Sequence, residues 1–274
     1  MKKYDNFVIM TDMDGTLINT EKQVSERNKA AIYSFTQNGG SFGVATGRTQ
    51  NNCTPFMEGL AINAPCILYN GGVLFDWQRQ KFIKTNYLEA ENLIEFIETC
   101  QKACPTLCVQ IYTQEQLYIV SKPANHDAVI LLERQDFKQA SLKSITSIPW
   151  VKILLCDKQE VLLHCRKISE ELGLQDKTLN FFSSPTYLEF VGKSVSKGHM
   201  LQEMRQLPQY KNKLFIAAGD FHNDIEMLKR ADWGIASGNA EAEVKAAADQ
   251  VGVTCDEDLL AMIIEQVIPS RFSI

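Results

Sequence analysis

The sequence predicts an α/β protein: a doubly wound core on a parallel sheet, split by an inserted α+β domain. Three observations predict it. Apolar strands that stop at polar or glycine residues and lead into helices or turns occur near both ends of the chain. Between residues 86 and 186 that rhythm gives way to hairpins alternating with helices. The clusters of acid, glycine and hydroxyl residues fall at strand ends in the outer segments, which is where open α/β sheets bind ligands.

The first strand, Asn6-Phe7-Val8-Ile9-Met10-Thr11, runs directly into Asp12-Met13-Asp14-Gly15-Thr16-Leu17. Ser25 is placed to cap a helix reaching about Asn38, with Ala30, Ala31, Ile32 and Phe35 on its buried side, and Gly39-Gly40 stop it. A second strand, Phe42-Gly43-Val44-Ala45, ends at Thr46-Gly47-Arg48, and a short helix follows. The third, Cys66-Ile67-Leu68-Tyr69, ends at Asn70-Gly71-Gly72. Inside the insertion the pattern predicts a helix over Glu89–Ala103 and a hairpin of Leu107–Tyr112 with Gln116–Val120. It continues with a helical stretch near Asp127–Arg134, a strand Val151–Cys156, a helix Gln159–Leu172 stopped by Gly173, and a second hairpin of Leu179–Phe182 with Tyr187–Val191. The first rhythm then resumes. A helix starts near Ser196; strands Lys213–Ala218 and Trp233–Ala236 end at Gly219-Asp220 and Ser237-Gly238-Asn239; helices over Glu241–Ala248 and Asp256–Val267 close the chain. The expected division is a discontinuous core, residues 1–85 and 187–274, and an inserted domain, 86–186.

At 274 residues the chain can bury one large core or two smaller ones. A net charge of −5 with no run of Lys and Arg argues against nucleic acid as partner. Met1-Lys2-Lys3-Tyr4-Asp5 precedes only a short apolar run, so neither a signal peptide nor a membrane span is expected, and the expected location is cytoplasmic. Cys100, Cys104 and Cys108 recur every four residues, but Pro105 interrupts them, no histidine lies close by, and the CxxC clasp of zinc sites is missing. With Cys53, Cys66, Cys156, Cys165 and Cys255 they read as reduced cysteines acting as small hydrophobes.

Chemistry concentrates in four clusters. They are Asp12-Met13-Asp14-Gly15-Thr16, Thr46-Gly47-Arg48, Ser196-Lys197-Gly198 and Gly219-Asp220-Phe221-His222-Asn223-Asp224. Two carboxylates at the end of an apolar strand repel each other and lose solvation, so a cation is expected beside them. In a doubly wound sheet all four clusters converge on one rim. Together they hold what phosphoryl transfer needs: a nucleophile, oxygen ligands for a hard divalent cation, a cationic clamp and hydroxyl or amide donors. The helix macrodipole disfavours a lysine in a first turn, which favours a functional Lys197 over a merely solvated one.

On these residues the chain resembles the haloacid dehalogenase (HAD)-like hydrolases, and among them the Cof-type phosphatases with a C2B cap. DxDGTL at Asp12 to Leu17 matches the first family motif, Thr46-Gly47-Arg48 the second, Lys197-Gly198 the third, and GDxxNDxxM at Gly219 to Met227 the fourth. Asn70-Gly71-Gly72 matches the turn before the cap and Gly238-Asn239-Ala240 a late turn. The resemblance implies a Rossmann-like core and a Mg²⁺-dependent phosphatase acting through an aspartyl-phosphate. It implies Asp12 as nucleophile and Asp14 as general acid and base. Asp12, the main-chain carbonyl of Asp14, and Asp220 become metal ligands, and Asp224 holds metal-bound water or Lys197. Met13, Thr46, Gly47, Arg48, Lys197 and Asn223 are assigned to phosphate or substrate. An acid at position 14 suits a poor, sugar-like leaving group that must be protonated.

Some alternatives stay open. Arg48 reads equally as a substrate contact and as a structural ion pair, Thr46 as a phosphate ligand or a helix cap, and His222 as a rim residue. The turn before Lys197, Val191-Gly192-Lys193-Ser194-Val195-Ser196, departs from the family pattern and adds Lys193. A phosphomutase of the same superfamily needs a cap rich in arginine, and only Arg134 and Arg166 occur in 86–186. A non-catalytic phosphosugar-binding module would not need the full catalytic set. The expected partner is a small phosphorylated metabolite, a sugar phosphate, phosphorylated cofactor or nucleotide, taken beneath a cap that closes over the rim, with no membrane involved. Tyr112, Tyr118, Phe181 and Tyr187 at strand spacing read as core before they read as ring-stacking residues. Oligomeric state has no signature in the sequence.

Overall fold

Two units make up the chain in the computed structural model, which describes residues 2–88, 90–132 and 136–274: Met1–Lys84 with Ser196–Ile274, and Thr85–Val195.

The first unit opens with β1 (Phe7–Thr11), buried at every position, as expected of a strand covered on both faces. Helix α1 (Glu26–Gln37) is capped by Ser25, whose side chain accepts the amide of Asn28. Strand β2 (Ser41–Val44) follows, then α2 (Gln50–Met57), which is capped by Thr49 rather than Thr46. Strand β3 (Cys66–Leu68) departs from expectation. Only a parallel bridge between Ala45 and Ile67 ties it to β2, while β3 pairs antiparallel with β4 (Val73–Asp76), and β5 (Lys81–Thr85) completes a separate three-stranded sheet. The left-handed Asn70 and Gly71 (φ 57° and 101°) reverse the chain tightly enough for β3 and β4 to pair.

The second unit contains α3 (Ala90–Ala103), the hairpin β6 (Cys108–Thr113) and β7 (Leu117–Ile119), and α4 (Ala128–Leu132). Short β8 (Phe137–Gln139) was not anticipated; it adds parallel to β7 at the sheet edge. Residues 89 and 133–135, at the expected start of α3 and end of α4, lie outside the described residues. Strand β9 (Trp150–Cys156), α5 (Gln159–Glu171), β10 (Thr178–Ser184) and β11 (Tyr187–Gly192) complete a six-stranded sheet in the order β10-β11-β9-β6-β7-β8. Its core is one cluster: Val109, Ile111, Ile153, Leu155, Leu188 and Phe190 meet Phe96 and Ile97 of α3 and Leu162 and Cys165 of α5. Strand β11 pairs with both β9 and β10, so this unit runs to Val195, past the boundary expected at residue 187.

Back in the first unit come α6 (Lys197–Arg205), β12 (Leu214–Gly219), α7 (Ile225–Arg230) and β13 (Trp233–Ala236). They are followed by α8 (Ala242–Ala247) and the two-residue β14 (Gln250–Val251). The final helix, expected over Asp256–Val267, begins later as α9 (Leu259–Met262), loosens into a π-turn over Ile263–Val267 and ends as α10 (Ile268–Phe272). Pro269 has no amide and cannot complete the ladder there.

The core sheet is parallel, in the order β14-β13-β12-β1-β2. Val8 and Met10 of β1 and Phe215 and Ala217 of β12 share one face with Met200, Leu201 and Met204 of α6 and Met227 and Leu228 of α7. Each of the larger of these side chains contributes roughly 1.5–3 kcal/mol on burial. The chain leaves β1 toward β2 on one side and returns as β12 on the other, so the strand order reverses at β1. Ligand crevices form at such a reversal, outside the carboxyl ends of the strands. The eight cysteines are free thiols, seven of them buried, and burial pushes the Cys66 thiol up to about 12. No helix among the described residues is long and apolar enough to cross a membrane.

Candidate active site

Strand register brings the acids together. In the β1–β12 pair Thr11 lies opposite Ala218, and the Asp12 amide donates to the Ala218 carbonyl at 2.8 Å. Asp220, one residue past β12, therefore stands next to Asp12. The chain turns away at once: the amides of Leu17 and Ile18 donate to the Met13 carbonyl. Gly15 has φ +80°, and a Cβ there would overlap the Asp220 carboxylate. Thr16 Oγ1 donates to Asp220 Oδ1 at 2.9 Å, which orients that carboxylate. Met13 points the opposite way, fully buried, with Sδ 3.6 Å from Cys53 Sγ. Its side chain belongs to the core, so only its main chain can reach a phosphate.

Carboxylate oxygens of Asp12, Asp220 and Asp224 lie within 4.8 Å of one another. Lys197 Nζ donates to Asp12 Oδ1 at 2.5 Å and to Asp224 Oδ1 at 2.7 Å, with none of its side chain exposed. It is the first residue of α6, positioned by Ser196, which caps the helix through the His199 amide. Gly71 packs against the Ser196 carbonyl so closely that a Cβ would collide with it, which pins the start of the helix. Asp224 Oδ2 accepts the amides of Asp220 and Phe221 at 3.0 and 3.1 Å, so both of its oxygens are engaged.

The electrostatics ask for a cation. Three carboxylates face one ammonium, which leaves two negative charges in excess. Burial pushes the Asp12 carboxyl well above its ordinary value; Lys197 pulls it back only in part, and Asp224 and Asp220 push it further. Burial and then the Asp224 charge raise Asp220 to about 6. For Lys197, burial alone would lower the pKa, but Asp12 and Asp224 outweigh it and hold the ammonium charged. A set of hard oxygen donors with that charge excess fits a divalent cation.

A pH-dependent stability effect follows. A carboxyl whose folded-state pKa is raised contributes stability that is full below its unfolded value of about 4 and is lost as pH rises through the folded value. For Asp220 that window closes at about 6. Chelator-treated protein should therefore lose thermal stability from this cluster across that range, and added Mg²⁺ should raise the melting temperature more at about pH 8 than at about pH 5. Equal shifts at both pH values would contradict this charge balance.

Asp14 stands apart from the triad. Arg48 grips it through Nε to Oδ2 at 2.7 Å and Nη2 to Oδ1 at 2.8 Å, with the guanidinium 4.7 Å from the Phe56 ring centroid. Burial acts to raise the Asp14 pKa, but the Arg48 hydrogen bonds and charge, helped by Lys22 and Lys197, bring it below the ordinary carboxylate value. Of the two roles open to Arg48, the structure shows the ion pair. Thr46 Oγ1 accepts the Arg48 amide, and Asn223 Nδ2 donates to Asn70 Oδ1 at 3.0 Å. Gly47 lies against the same Asn70 side chain. His222 lies on the rim, its Nδ1 3.3 Å from Glu243.

Thr16, Asn70 and Asn239 were not among the expected site residues. Asn239 Nδ2 donates to the Gly15 carbonyl at 2.8 Å, while its Oδ1 accepts the Cys255 amide. Each tie spans a long stretch of sequence. Their only signal was membership in the DGT, NG and GNA turns.

Comparison with known proteins agrees with this geometry. The sequence model of the haloacid dehalogenase-like hydrolases matches residues 9–264. The chain is 29% identical to the Bacillus subtilis 5-amino-6-(5-phospho-D-ribitylamino)uracil phosphatase YcsE, over 94% of each protein. It is 26% identical to the Escherichia coli pyridoxal phosphate phosphatase YbhA, over 89% of this chain and 92% of that one. A haloacid dehalogenase-like hydrolase from Bacteroides thetaiotaomicron superposes with a TM-score of 0.81 at 27% identity, covering 97% of this chain and all of that one. With the four motif clusters gathered at the carboxyl ends of a parallel sheet, and the family's sequence model spanning nearly the whole chain, the protein belongs to the haloacid dehalogenase-like hydrolase family.

Proposed function

We propose that the protein is a Mg²⁺-dependent phosphatase that hydrolyses small phosphate monoesters through an aspartyl-phosphate on Asp12. The observation that carries this reading is the buried Lys197 held between Asp12 and Asp224 while Asp14, two residues beyond the nucleophile, sits on a separate cation.

A carboxylate meeting a phosphate dianion is repelled by roughly 4 kcal/mol per pair of unit charges at about 4 Å and an effective dielectric of about 20. Lys197 offsets part of that repulsion at the attacking oxygen itself. Asp12, the Asp14 carbonyl and Asp220 would hold a Mg²⁺ ion, which would supply the remaining positive charge and Lewis-acid polarisation at the phosphoryl oxygens. Asp12 attacks phosphorus and displaces the alcohol; Asp14 protonates the departing alkoxide, then takes a proton from the water that cleaves the phosphoenzyme. The Thr46 hydroxyl, the Gly47 amide, Lys197 and Asn223 hold phosphoryl oxygens. Asp224 keeps Lys197 in place, and Arg48 holds Asp14 until substrate arrives.

The inserted unit sets selectivity in this scheme. Relatives named as a 5-amino-6-(5-phospho-D-ribitylamino)uracil phosphatase and a pyridoxal phosphate phosphatase support a substrate of the sugar-like or cofactor monophosphate kind. A panel of phosphate esters with Mg²⁺, assayed for inorganic phosphate and for isomerised ester, tests the proposal. Phosphate release that stops when the metal is chelated is expected. Isomer without phosphate from a hexose monophosphate would assign a mutase instead.

A further inference from the structure

The turn that carries Asn70 holds more left-handed backbone than a hairpin of its length requires. Strands β3 and β4 pair from Leu68 to Val73, which leaves residues 69–72 as the loop. Loops of that length are most often built on a type I turn, whose two central residues have negative φ. Here Tyr69, Asn70 and Gly71 are all left-handed, at φ 54°, 57° and 101°. Tyr69 and Asn70 are the one adjacent pair of non-glycine residues in that region among the described residues. Such conformations cost free energy and persist where the surrounding structure has a use for them.

The use is visible in what Asn70 joins. Its amide donates to the Thr46 carbonyl at 3.0 Å and the Tyr69 amide donates to the Arg48 carbonyl at 3.1 Å, so the turn is fastened to the loop that follows β2. The buried Asn70 side chain reaches in another direction, where its Oδ1 accepts Asn223 Nδ2 at 3.0 Å. A Cβ on residue 47 would stand 2.9 Å from that same Oδ1, so the glycine there leaves the Asn70 amide its room. Asn223 lies in the short helical turn His222–Asp224, beyond the end of β12. All of these residues belong to the first unit.

The bond to Asn70 also decides which end of the Asn223 amide is offered to a ligand. A side-chain amide has a donor end with two N–H groups and an acceptor oxygen. An Asn223 free to flip would present its oxygen to a phosphoryl oxygen as readily as its nitrogen, and two acceptors repel. With one N–H engaged by Asn70 Oδ1, Nδ2 is held in place and its second N–H remains to donate.

We infer that Asn70 is a positioning residue for phosphoryl binding. It acts through Asn223, whose donor end it fixes, and it ties that donor to the loop carrying Thr46 and Gly47. The inference rests on the phosphatase reading above and adds to it the residue that holds two phosphate-binding segments in one arrangement.

The test is a double-mutant cycle on the full-length protein with Mg²⁺. Asn70→Gly removes the side chain and keeps the left-handed backbone, whereas Asn70→Ala removes the same amide and adds backbone strain. Each is measured alone and combined with Asn223→Ala, as kcat/KM for p-nitrophenyl phosphate and for a hexose monophosphate, below the melting temperature of every variant. Both Asn70 variants should lower kcat/KM by roughly tenfold for both esters, because the phosphoryl group is the part the esters share. In the Asn223→Ala background neither should lower it further by more than about twofold. Three results would assign Asn70 to folding alone and overturn the inference: an equal loss in both backgrounds, a loss that grows from Asn70→Gly to Asn70→Ala in step with their melting temperatures, or an Asn70→Gly chain that does not fold. Wild-type kcat/KM in Asn70→Gly or in Asn223→Ala overturns it as well, since there is then nothing for Asn70 to position. The phosphatase reading survives each of these results. Wild-type protein that releases phosphate from neither ester, nor from any other in the panel above, overturns both.

Discussion

Asp12→Asn is expected to abolish turnover while leaving the fold at least as stable as the wild type. Asparagine keeps the shape of the side chain but removes the nucleophile of the proposed mechanism, and losing a residue that forms a covalent bond lowers kcat by a factor on the order of 10⁴ or more. Stability should move the other way. Burial and the neighbouring Asp220 and Asp224 make an ionised Asp12 unfavourable in the metal-free fold, and Lys197 does not fully compensate. A neutral amide relieves that repulsion, so the melting temperature of the chelator-treated variant should equal or exceed that of wild type. A stability gain coupled to a loss of function is the signature of a residue kept for chemistry. Phosphate release by the variant within tenfold of wild type would refute Asp12 as the attacking group.

Lys197→Met is expected to cost both activity and stability. The lysine is fully buried and its ammonium touches two carboxylates. Removing one partner of such a group leaves the others uncompensated and destabilises by about 3–5 kcal/mol. Part of that loss should be recovered by lowering the pH, because protonating the acids replaces the missing charge. Activity should fall on the order of 10³-fold, since in the proposed mechanism Lys197 is the cation that brings nucleophile and phosphate together. Thermal melts at two pH values, alongside phosphate release, separate the effects: destabilisation that is the same at about pH 5 and about pH 8 would show that Lys197 does not balance these carboxylates.

Much of this site was legible because local chemistry and strand ends coincide. Asp12, Lys197 and Asp220 stand out in sequence as charged residues at the end of an apolar strand or the start of a helix, where few other roles suit them. Pairwise geometry was less visible. Arg48 left two roles open because its partner, Asp14, lies on a different strand end, and only the β1–β2 register brings the two within hydrogen-bonding reach. The ties from Thr16 to Asp220 and from Asn239 to Gly15 were hidden for the same reason: each links residues more than 200 positions apart. In the fold, β3 read as another parallel strand because a short apolar run does not reveal its partner. The two-residue β14 and three-residue β8 are too short to carry any periodicity.

The central claim is that the phosphoryl group passes through Asp12. Rapid acid quenching of the enzyme during turnover of a saturating phosphate ester, followed by peptide mass spectrometry, tests it most directly. The expected result is the added mass of one phosphoryl group on the peptide containing Asp12, lost on treatment with hydroxylamine and absent from Asp12→Asn. Phosphate released at full rate with no such adduct, or an adduct on any other residue, would contradict it.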